Sequence, residues 1–583
     1  MHPDRREVLK TLALLAAPGW AGSNSLLRLP YLQCVQAERA SVLWTTASPG
    51  SGVVNVSNES GVVKTVKATM RAFSPAETGE ASLFYQYRAD ITGLQPGTSY
   101  SYRVSMDGVD AAMVNAGQYR FRTAAVGKFS FLAFGDTGEN SEPQRQVMAA
   151  MNNESGVAMA IHTGDLAYPL GSFSNYESAY FGMNASRMAS LPLFPTPGNH
   201  DYLGDGGTAY LAAHAAPDSD TPGEDAGRYY SYDWSDAHFV SLDSNLLPYD
   251  AADRMLAWLK RDLAATRKYW KIVYLHHPPY PTGHHREDPF SAMVRERVLP
   301  IIERAGVQLL IGGHEHGYER TYPLRNGQVV ENGPSTMYVI TGGGGAGLQE
   351  MGSLPQTALA LSLYHYMRFD VDGVRLTGRA IDPLGNEIDR FQLVPAPEIS
   401  PNGVVNAGDF TPNVCAGSLA VIFGHNFALR EQGAGDAEPV ELGEISVRVG
   451  GVLAPVFYVS PSQINVQIPP GADGSVDVEI ATPTGVAKSR LRLSECAPAI
   501  MSVRVRGSQS LTAYVTGLST YASEASVWIG SDVIPERNFQ IDYVGRGIHR
   551  IEVGALGLPP GEYNLSIAAR NSLSRPSVFK LGS

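Results

Sequence analysis

The sequence predicts a multidomain protein with an N-terminal β-sandwich, a central α/β domain and one or two C-terminal β-sandwiches. Three observations predict this order. The chain has 583 residues, which is too long for a single hydrophobic core. Short alternating strands with Gly, Pro, Ser and Asn turns fill both flanks of the chain. Only the middle alternates apolar strands with helical patterns, as in a sheet whose faces are covered by helices.

Composition and charge narrow the class of protein. Hydrophobic residues make up 44% of the chain and charged residues 17%, which is typical of a globular protein rather than a disordered one. The formal net charge of −12 argues against nucleic acid or an anionic membrane as a partner, because either favours a basic patch. Apolar runs in the sequence are too short for a membrane-spanning helix, so we expect no transmembrane segment.

Residues 1–23 are predicted to be an export signal rather than part of the fold. Arg5 and Arg6 precede a modest apolar run at residues 11–17, and small residues follow around Ala21. This pattern resembles a twin-arginine signal. The resemblance implies that the protein is exported already folded and works in the periplasm, at the cell surface or outside the cell. An ordinary amphipathic N-terminal helix is the alternative.

Residues 24–125 are expected to form the N-terminal sandwich. Residues 41–46 alternate as a strand, with Trp44 as a core anchor. Tyr100 follows a Leu-Gln-Pro-Gly-Thr-Ser stretch, and this arrangement resembles the tyrosine corner of fibronectin type III and immunoglobulin-like domains. We interpret this module as structural.

Residues 126–396 are expected to form the central α/β domain. Of the 14 histidines, 11 lie between His162 and His365, so we expect the polar chemistry of the protein to be concentrated here. Predicted strands span residues 129–134, 157–163, 193–197, 271–275, 307–311 and 337–341. Predicted helices span residues 143–151, 255–263 and 292–304.

Residues 397–498 and 499–583 are expected to form two further sandwiches. Residues 454–466 resemble part of an immunoglobulin-like module of the IPT/TIG type, and a second pattern like a tyrosine corner surrounds Tyr563. Cys415 and Cys496 lie near the two ends of the first module. Two alternatives stay open for them: a disulfide contributing about 2–4 kcal/mol outside the cytoplasm, or two separate buried thiols.

Seven side chains at or just beyond predicted strand ends are the candidate metal ligands. Open α/β sheets bind ligands outside the carboxyl ends of their strands, and imidazole is the commonest metal ligand. Carboxylates combined with imidazoles favour iron, zinc or manganese. Seven ligands are too many for one ion and suit two ions that share a carboxylate. The seven are Asp136, Asp165, Tyr168, Asn199, His276, His314 and His316.

Five short blocks carry these residues in an order that resembles the metallophosphoesterases, and within them the purple acid phosphatases. The blocks are Gly-Asp-Thr-Gly at 135–138, Gly-Asp-Leu-Ala-Tyr at 164–168, Gly-Asn-His-Asp at 198–201, Val-Tyr-Leu-His at 273–276 and Gly-His-Glu-His at 313–316. The resemblance extends to Tyr-Glu-Arg at 318–320, to the glycine run at 342–345 and to the N-terminal module. It therefore covers about residues 28–395, in the plant-type two-domain layout.

The resemblance implies a centre of one ferric and one divalent ion, the second being zinc, manganese or iron. The ligands implied for the ferric ion are Asp136, Asp165, Tyr168 and His316. The ligands implied for the divalent ion are Asp165, Asn199, His276 and His314, so Asp165 would bridge the two. In the family, a tyrosine phenolate bound to ferric iron produces the colour, and Tyr168 is the residue that would supply this phenolate here. A packing aromatic is the alternative for Tyr168.

The resemblance also implies three catalytic histidines. His200, beside the ligand Asn199, resembles the histidine that protonates the leaving group in the family. His284 and His285 resemble its paired histidines downstream of His276. The gap from His276 is one residue shorter than in the plant type, so which of the two reaches the phosphate stays open.

Three neighbours of the candidate ligands are expected not to bind metal. His277 would point to the opposite face if its strand continued, and we interpret it as structural. Asp201 is interpreted as an orienter of the ligands rather than a ligand. Glu315, between two histidines, is expected to point away from the ions.

The sequence therefore predicts an exported dimetal acid phosphatase, a hydrolase that cleaves phosphate monoesters through a metal-bound hydroxide. The closest alternative keeps the fold and the metals but cleaves phosphodiesters or nucleotides. A different class is an inactive surface-binding protein whose sandwiches carry the function. The intact set of ligands argues against that class.

Overall fold

The computed structural model describes residues 26–111, 119–138, 140–217, 221, 223–506, 509–554 and 556–582. The predicted export signal at residues 1–23 lies outside these ranges. Within them, none of the helices is both long enough and apolar enough to cross a membrane.

The N-terminal part folds as a sandwich of two antiparallel sheets. Trp44 is fully buried between them and stacks on Tyr87, with ring centroids 5.2 Å apart. The hydroxyl of Tyr100 accepts a hydrogen bond of 2.9 Å from the backbone N–H of Gln95, the upstream contact that defines a tyrosine corner. One sheet contains Leu26–Gln33, Arg39–Thr46, Phe84–Thr92 and Thr69–Phe73, and the other Gly61–Lys67, Gly52–Asn58, Ser99–Met106, Val109–Asp110 and Arg120–Arg122.

Two mixed sheets, here sheet A and sheet B, pack face to face in the central part. Phe131 of sheet A meets Phe239 of sheet B edge to face, with ring centroids 5.2 Å apart. In spatial order, sheet A contains Leu193–Pro195, Val157–His162, Phe129–Phe134, Tyr366–Asp372, Arg375–Ile381 and Glu387–Leu393. Sheet B contains Tyr230–Trp234, Ala237–Ser241, Trp270–Tyr274, Leu309–Gly312, Met337–Thr341, Tyr318–Thr321 and Thr357–Leu361.

Helices cover the outer faces of both sheets, which gives four layers. Phe131 faces the core between the sheets, whereas its neighbour Leu132 packs with Val147 of an outer helix. In sheet B, Leu310 faces the other outer layer and packs in the same core as Leu259. This alternation is the period of two that strands impose. The longer helical segments are Glu142–Asn152, Tyr176–Phe181 (a π-helix), Gly182–Met188, Thr208–Ala213, Ala251–Ala265, Pro289–Met293, Val294–Val298 (a π-helix) and Leu299–Arg304.

The carboxyl ends of the parallel strands define one edge of the central part. In sheet A, Phe134 pairs with His162 in parallel register, and in sheet B Tyr274 pairs with Ile311 in the same sense. The two edges lie side by side, because the backbone N–H of His314 after sheet B donates to the carboxylate of Asp136 after sheet A, at 3.0 Å. Loops from both sheets therefore meet at this edge.

The N-terminal sandwich shares its core with the central part. The hydroxyl of Tyr31 donates to the carbonyl of Ala213 at 2.7 Å, and that of Tyr102 donates to Ala189 O at 2.8 Å. Phe73 packs on Phe173 with ring centroids 5.5 Å apart. These contacts make the N-terminal module a support for the loops and helices beside sheet A.

Two C-terminal sandwiches have separate cores. The first contains Glu398–Asn406, Leu419–His425, Gln463–Gln467, Val456–Val459, Gln432–Gly433, Glu441–Leu442, Ile445–Val449, Val452–Ala454, Ser475–Thr482 and Gly485–Arg492. The second contains Ala499–Arg506, Ser510–Thr516, Ile548–Val553, Phe539–Gly545, Asp532–Val533, Ser526–Ile529, Gly561–Ala569, Ser572–Leu573 and Ser577–Leu581.

The two cysteines at the junction of these sandwiches are free, buried thiols. Cys415 and Cys496 both donate from Sγ to the carbonyl of Gly517, at 3.3 Å and 3.2 Å. Of the two alternatives that the sequence leaves open, the structure has the pair of thiols and not the disulfide. Burial raises the pKa of Cys496 to about 12, so this thiol is neutral at physiological pH.

Candidate metal centre

Four of the predicted ligands converge on one point, here the tyrosine cluster of Asp136, Asp165, Tyr168 and His316. The phenol oxygen of Tyr168 lies 2.8 Å from Asp165 Oδ2, 3.4 Å from Asp136 Oδ1 and 3.1 Å from His316 Nε2. His316 Nδ1 lies 2.7 Å from the carbonyl of Gly347, which makes Nδ1 the protonated nitrogen and leaves the Nε2 lone pair for the cluster.

The remaining ligands form a second group, here the histidine cluster of Asp165, Asn199, His276 and His314. Nε2 of His276 lies 2.9 Å from Asn199 Oδ1, 3.2 Å from His314 Nδ1 and 3.5 Å from Asp165 Oδ2. Asp165 Oδ2 therefore belongs to both clusters. Ligand atoms at bond lengths of about 2.0–2.2 Å from one ion lie about 3 Å from each other, so each cluster has the spacing of a coordination site.

The backbone at the strand ends adopts conformations that bring these ligands together. Asp136, Asp165 and His314 have φ angles of 57°, 54° and 68°, in the left-handed region that non-glycine residues rarely adopt. Glycine is needed alongside them. A Cβ on Gly198 would collide with Asp165 Oδ1, and one on Gly313 would lie 2.5 Å from Asp136 Oδ2. The glycines of the Gly-Asn and Gly-His dipeptides are therefore required because any larger residue would collide with a candidate ligand.

The electrostatics of the clusters fit cations. Burial raises the pKa of Tyr168 well above that of an ordinary phenol, and the neighbouring carboxylates raise it further. Burial also raises the pKa of Asp136 well above its usual range. For Asp165 the same burial is outweighed by the imidazole of His276, and the pKa is lowered. Buried anions need a positive partner, and carboxylate, phenol, amide and imidazole donors suit a pair of transition-metal ions.

His200 lies at the edge of the tyrosine cluster, at the start of the short helix His200–Leu203. Its ring centroid is 4.2 Å from that of Tyr168. Nδ1 lies 2.7 Å from the carbonyl of Pro169, so Nε2 is the nitrogen that can meet a substrate. Its backbone N–H donates to Asp165 Oδ1 at 2.8 Å, which ties the position of this histidine to the shared carboxylate.

Of the paired histidines, His285 lies nearer to the candidate ligands. Its half-buried ring is 3.8 Å from the ring of His314, and its Nε2 is 3.1 Å from Nε2 of Gln349. His284 is exposed and lies beside it, with ring centroids 4.8 Å apart. This arrangement favours His285 as the one that reaches a bound phosphate.

His277 and Asp201 have structural contacts. Strand Trp270–Tyr274 ends before His277. The alternation of faces along a strand therefore does not decide where the His277 side chain points. Its ring is buried, stacks on Phe290 at 4.4 Å and bonds through Nδ1 to Ser244 Oγ at 2.8 Å. The Asp201 carboxylate accepts hydrogen bonds from the backbone N–H groups of Gly198 and Leu166 and from the Tyr176 hydroxyl. It thereby joins two of the loops that carry ligands.

Sequence reasoning missed one contact of a candidate ligand. Asp288 Oδ2 lies 2.6 Å from Nε2 of His314, which fixes the tautomer that leaves Nδ1 for the histidine cluster. The same carboxylate caps helix Pro289–Met293 by accepting from the N–H of Phe290 at 2.8 Å. The Asp-Pro dipeptide is typical of the start of a helix. It could have predicted the start of helix Pro289–Met293 but not the contact with His314.

Fold and site together define a metallophosphoesterase. Comparison with known families finds the model for the calcineurin-like phosphoesterases at residues 129–318. The purple acid phosphatase N-terminal domain matches residues 30–123, and the IPT/TIG domain matches residues 409–492. The chain contains these three domains, is similar to the purple acid phosphatases and is a phosphoesterase.

Individual relatives agree with this assignment. Acid phosphatase type 7 from Mus musculus is 26% identical over 374 residues, covering 57% of this chain and 81% of the relative. Purple acid phosphatase 18 from Arabidopsis thaliana is 26% identical over 270 residues, covering 44% of this chain and 58% of the relative. The solved structure of purple acid phosphatase PPD1 from yellow lupin (Lupinus luteus) seeds has a TM-score of 0.56 at 18% identity, covering 64% of this chain and 75% of that chain. That structure supports the fold.

Proposed function

We propose that the protein is an exported acid phosphatase that hydrolyses phosphate monoesters at a centre of one ferric and one divalent ion. The observation that carries the proposal is the pair of clusters that share Asp165 Oδ2, only one of which contains a phenol. Export rests on the twin-arginine pattern at residues 1–23.

The two clusters differ in the ions that they suit. A phenolate from Tyr168 beside the carboxylates of Asp136 and Asp165 is a hard, anionic set, which favours ferric iron. The histidine cluster offers two imidazoles and an amide with the shared carboxylate, which suits divalent zinc, manganese or iron. We therefore assign the ferric ion to the tyrosine cluster and the divalent ion to the histidine cluster, the division that the family resemblance implies.

The chemistry of the reaction follows from these positions. When bound, two such ions polarise a phosphoryl oxygen, acidify a water molecule and orient it in line with the leaving group. His285, next to the candidate ligand His314, would donate to an oxygen of the phosphoryl group. His200, beside Tyr168, would donate a proton to the leaving oxygen. Because the net charge of the chain is −12, attraction for a phosphate dianion has to come from the bound ions and the hydrogen-bond donors beside them.

A preference for monoesters is expected because donors surround the site. A monoester offers an additional anionic oxygen that a diester carries as a neutral ester. Each hydrogen bond to a charged oxygen contributes about 1.5–3 kcal/mol, so we expect kcat/KM for the monoester to exceed that for the diester by roughly tenfold or more.

The test compares para-nitrophenyl phosphate with bis(para-nitrophenyl) phosphate from about pH 4 to about pH 9, using protein loaded with iron and a divalent metal. Faster cleavage of the monoester on the acid side is the expected result. Faster cleavage of the diester would replace the proposal with a phosphodiesterase on the same centre. Cleavage of neither would favour the surface-binding alternative.

A further inference from the structure

The carboxylate of Glu315 lies between the metal centre and the loop that carries His284 and His285. Glu315 is fully buried, although it stands in sequence between two candidate ligands. Its Oε1 accepts a hydrogen bond from the backbone N–H of His284, and its Oε2 accepts one from His285, both at 2.9 Å. Both carboxylate oxygens therefore bind consecutive N–H groups of one loop, and Glu315 is not one of the seven candidate ligands.

From these contacts we infer that Glu315 is a positioning residue, which holds the two histidines against the centre and so sets the affinity of the enzyme for the phosphoryl group. The inference deepens the proposed function and rests on it, because phosphate is the group that the histidines would meet. Glu315 connects this loop directly to the metal centre, because its chain neighbours His314 and His316 are both candidate ligands.

The loop fits closely onto this carboxylate. A Cβ on Gly283 would collide with the carbonyl of Glu350 and would lie 2.8 Å from Glu315 Oε1. Thr282 begins the loop and is held on its other side, where its Oγ1 accepts from the N–H of Gly352 at 3.1 Å. Only glycine leaves enough room for the backbone to approach Glu315, so the Thr-Gly-His-His sequence matches the shape of the buried acid.

Both oxygens of Glu315 matter as well as its shape, because each accepts one of two consecutive N–H groups. Without the carboxylate, two part-buried N–H groups would lose their acceptors, and a donor without a partner is unfavourable where water cannot replace that partner. The loop would then shift toward solvent, and His285 would leave its place beside His314.

The Glu315→Gln variant tests this inference. The amide keeps the size of the side chain but has one acceptor, and its NH₂ group faces an N–H donor. We expect about a tenfold rise in the KM for para-nitrophenyl phosphate and in the Kd for inorganic phosphate measured by calorimetry. The value of kcat should change less, and metal content and the visible spectrum should stay those of the parent. Should Glu315→Gln not fold, Glu315→Asp keeps the charge on a shorter side chain and should raise both constants in the same direction.

Glu319 offers a matched control. It is a buried acid on the neighbouring strand and accepts a hydrogen bond of 3.0 Å from the N–H of Thr282, outside the pair of histidines. Glutamine has the same size as glutamate and keeps one side-chain oxygen, which is enough to accept this bond. The KM of Glu319→Gln should equal that of the parent.

A double-mutant cycle separates positioning from general stability. In a background of His284→Ala with His285→Ala, adding Glu315→Gln should not weaken phosphate binding further, because the side chains that it positions are gone. Equal weakening in both backgrounds, loss of metal from Glu315→Gln, or an unchanged Kd in the parent background would overturn the inference. If the parent enzyme neither binds phosphate nor cleaves the monoester, the proposed function fails first and the inference fails with it.

Discussion

The Asp165→Asn variant is expected to lose both ions and nearly all activity. Asp165 Oδ2 lies 2.8 Å from the Tyr168 phenol and 3.5 Å from His276 Nε2, so one oxygen serves both clusters. A neutral amide at this position removes the negative charge that would lie between two cations. The loss should exceed the roughly 10–100-fold cost of removing an outer partner of a ligand.

Metal analysis and kcat/KM measured on the same sample check this expectation. Asp225→Asn is the matched control, because Asp225 is equally buried but pairs with Arg254 at 2.9 Å. The control should keep its metals and rate while losing some stability. An Asp165→Asn protein that retains both ions and the parent rate would remove Asp165 from the bridging position.

The His200→Ala variant is expected to keep both ions and to lose about 10²–10⁴-fold in kcat, the usual contribution of a general acid. The backbone N–H of His200 holds Asp165 Oδ1 at 2.8 Å, and that bond survives the substitution. The imidazole, which Pro169 O orients through Nδ1, does not. The effect should therefore fall on the rate and not on metal content.

Substrates with different leaving groups sharpen this test. An alkyl phosphate needs protonation of its leaving oxygen more than para-nitrophenyl phosphate does, so His200→Ala should lose more rate on the alkyl ester. His549→Ala, a buried histidine of the last sandwich, controls for the loss of an imidazole elsewhere. Equal losses on both esters would argue that His200 is not the proton donor, and full activity would exclude it from the mechanism.

The candidate ligands could be proposed from sequence because each follows a strand that the sequence reveals. Phe129–Phe134 and Met337–Thr341 have the predicted bounds. Val157–His162 ends one residue before its predicted end, and Trp270–Tyr274 begins and ends one residue earlier than predicted. The carboxyl ends of parallel strands in one sheet meet at one edge, so Asp136 and Asp165, which both follow strands of sheet A, were expected to lie close together. His314 follows a strand of sheet B, and strand periodicity alone does not predict how the two sheets pack against each other.

The contacts around the ligands were not predictable, because they join segments that are distant in the sequence. Asp288 and Glu315 reach their partners across 26 and 31 residues, and nothing local distinguishes them from helix caps or solvated acids. The helical segment predicted at residues 292–304 begins at Pro289 and contains the π-helix Val294–Val298. The Asp288 cap sets the earlier start of the segment, and tertiary packing accounts for the π-helix. Apolar periodicity alone predicts neither of these two features.

The most direct test of the ferric–tyrosinate centre is a visible spectrum with metal analysis, both on one sample of the purified holoprotein. The prediction is a violet protein that contains one iron and one divalent ion per chain, with a broad visible band that disappears in Tyr168→Phe. The Tyr168 phenol, 3.1 Å from His316 Nε2 and 2.8 Å from Asp165 Oδ2, is the group that would produce the band. A colourless, active protein that contains only zinc or manganese would contradict the assignment of ferric iron to the tyrosine cluster.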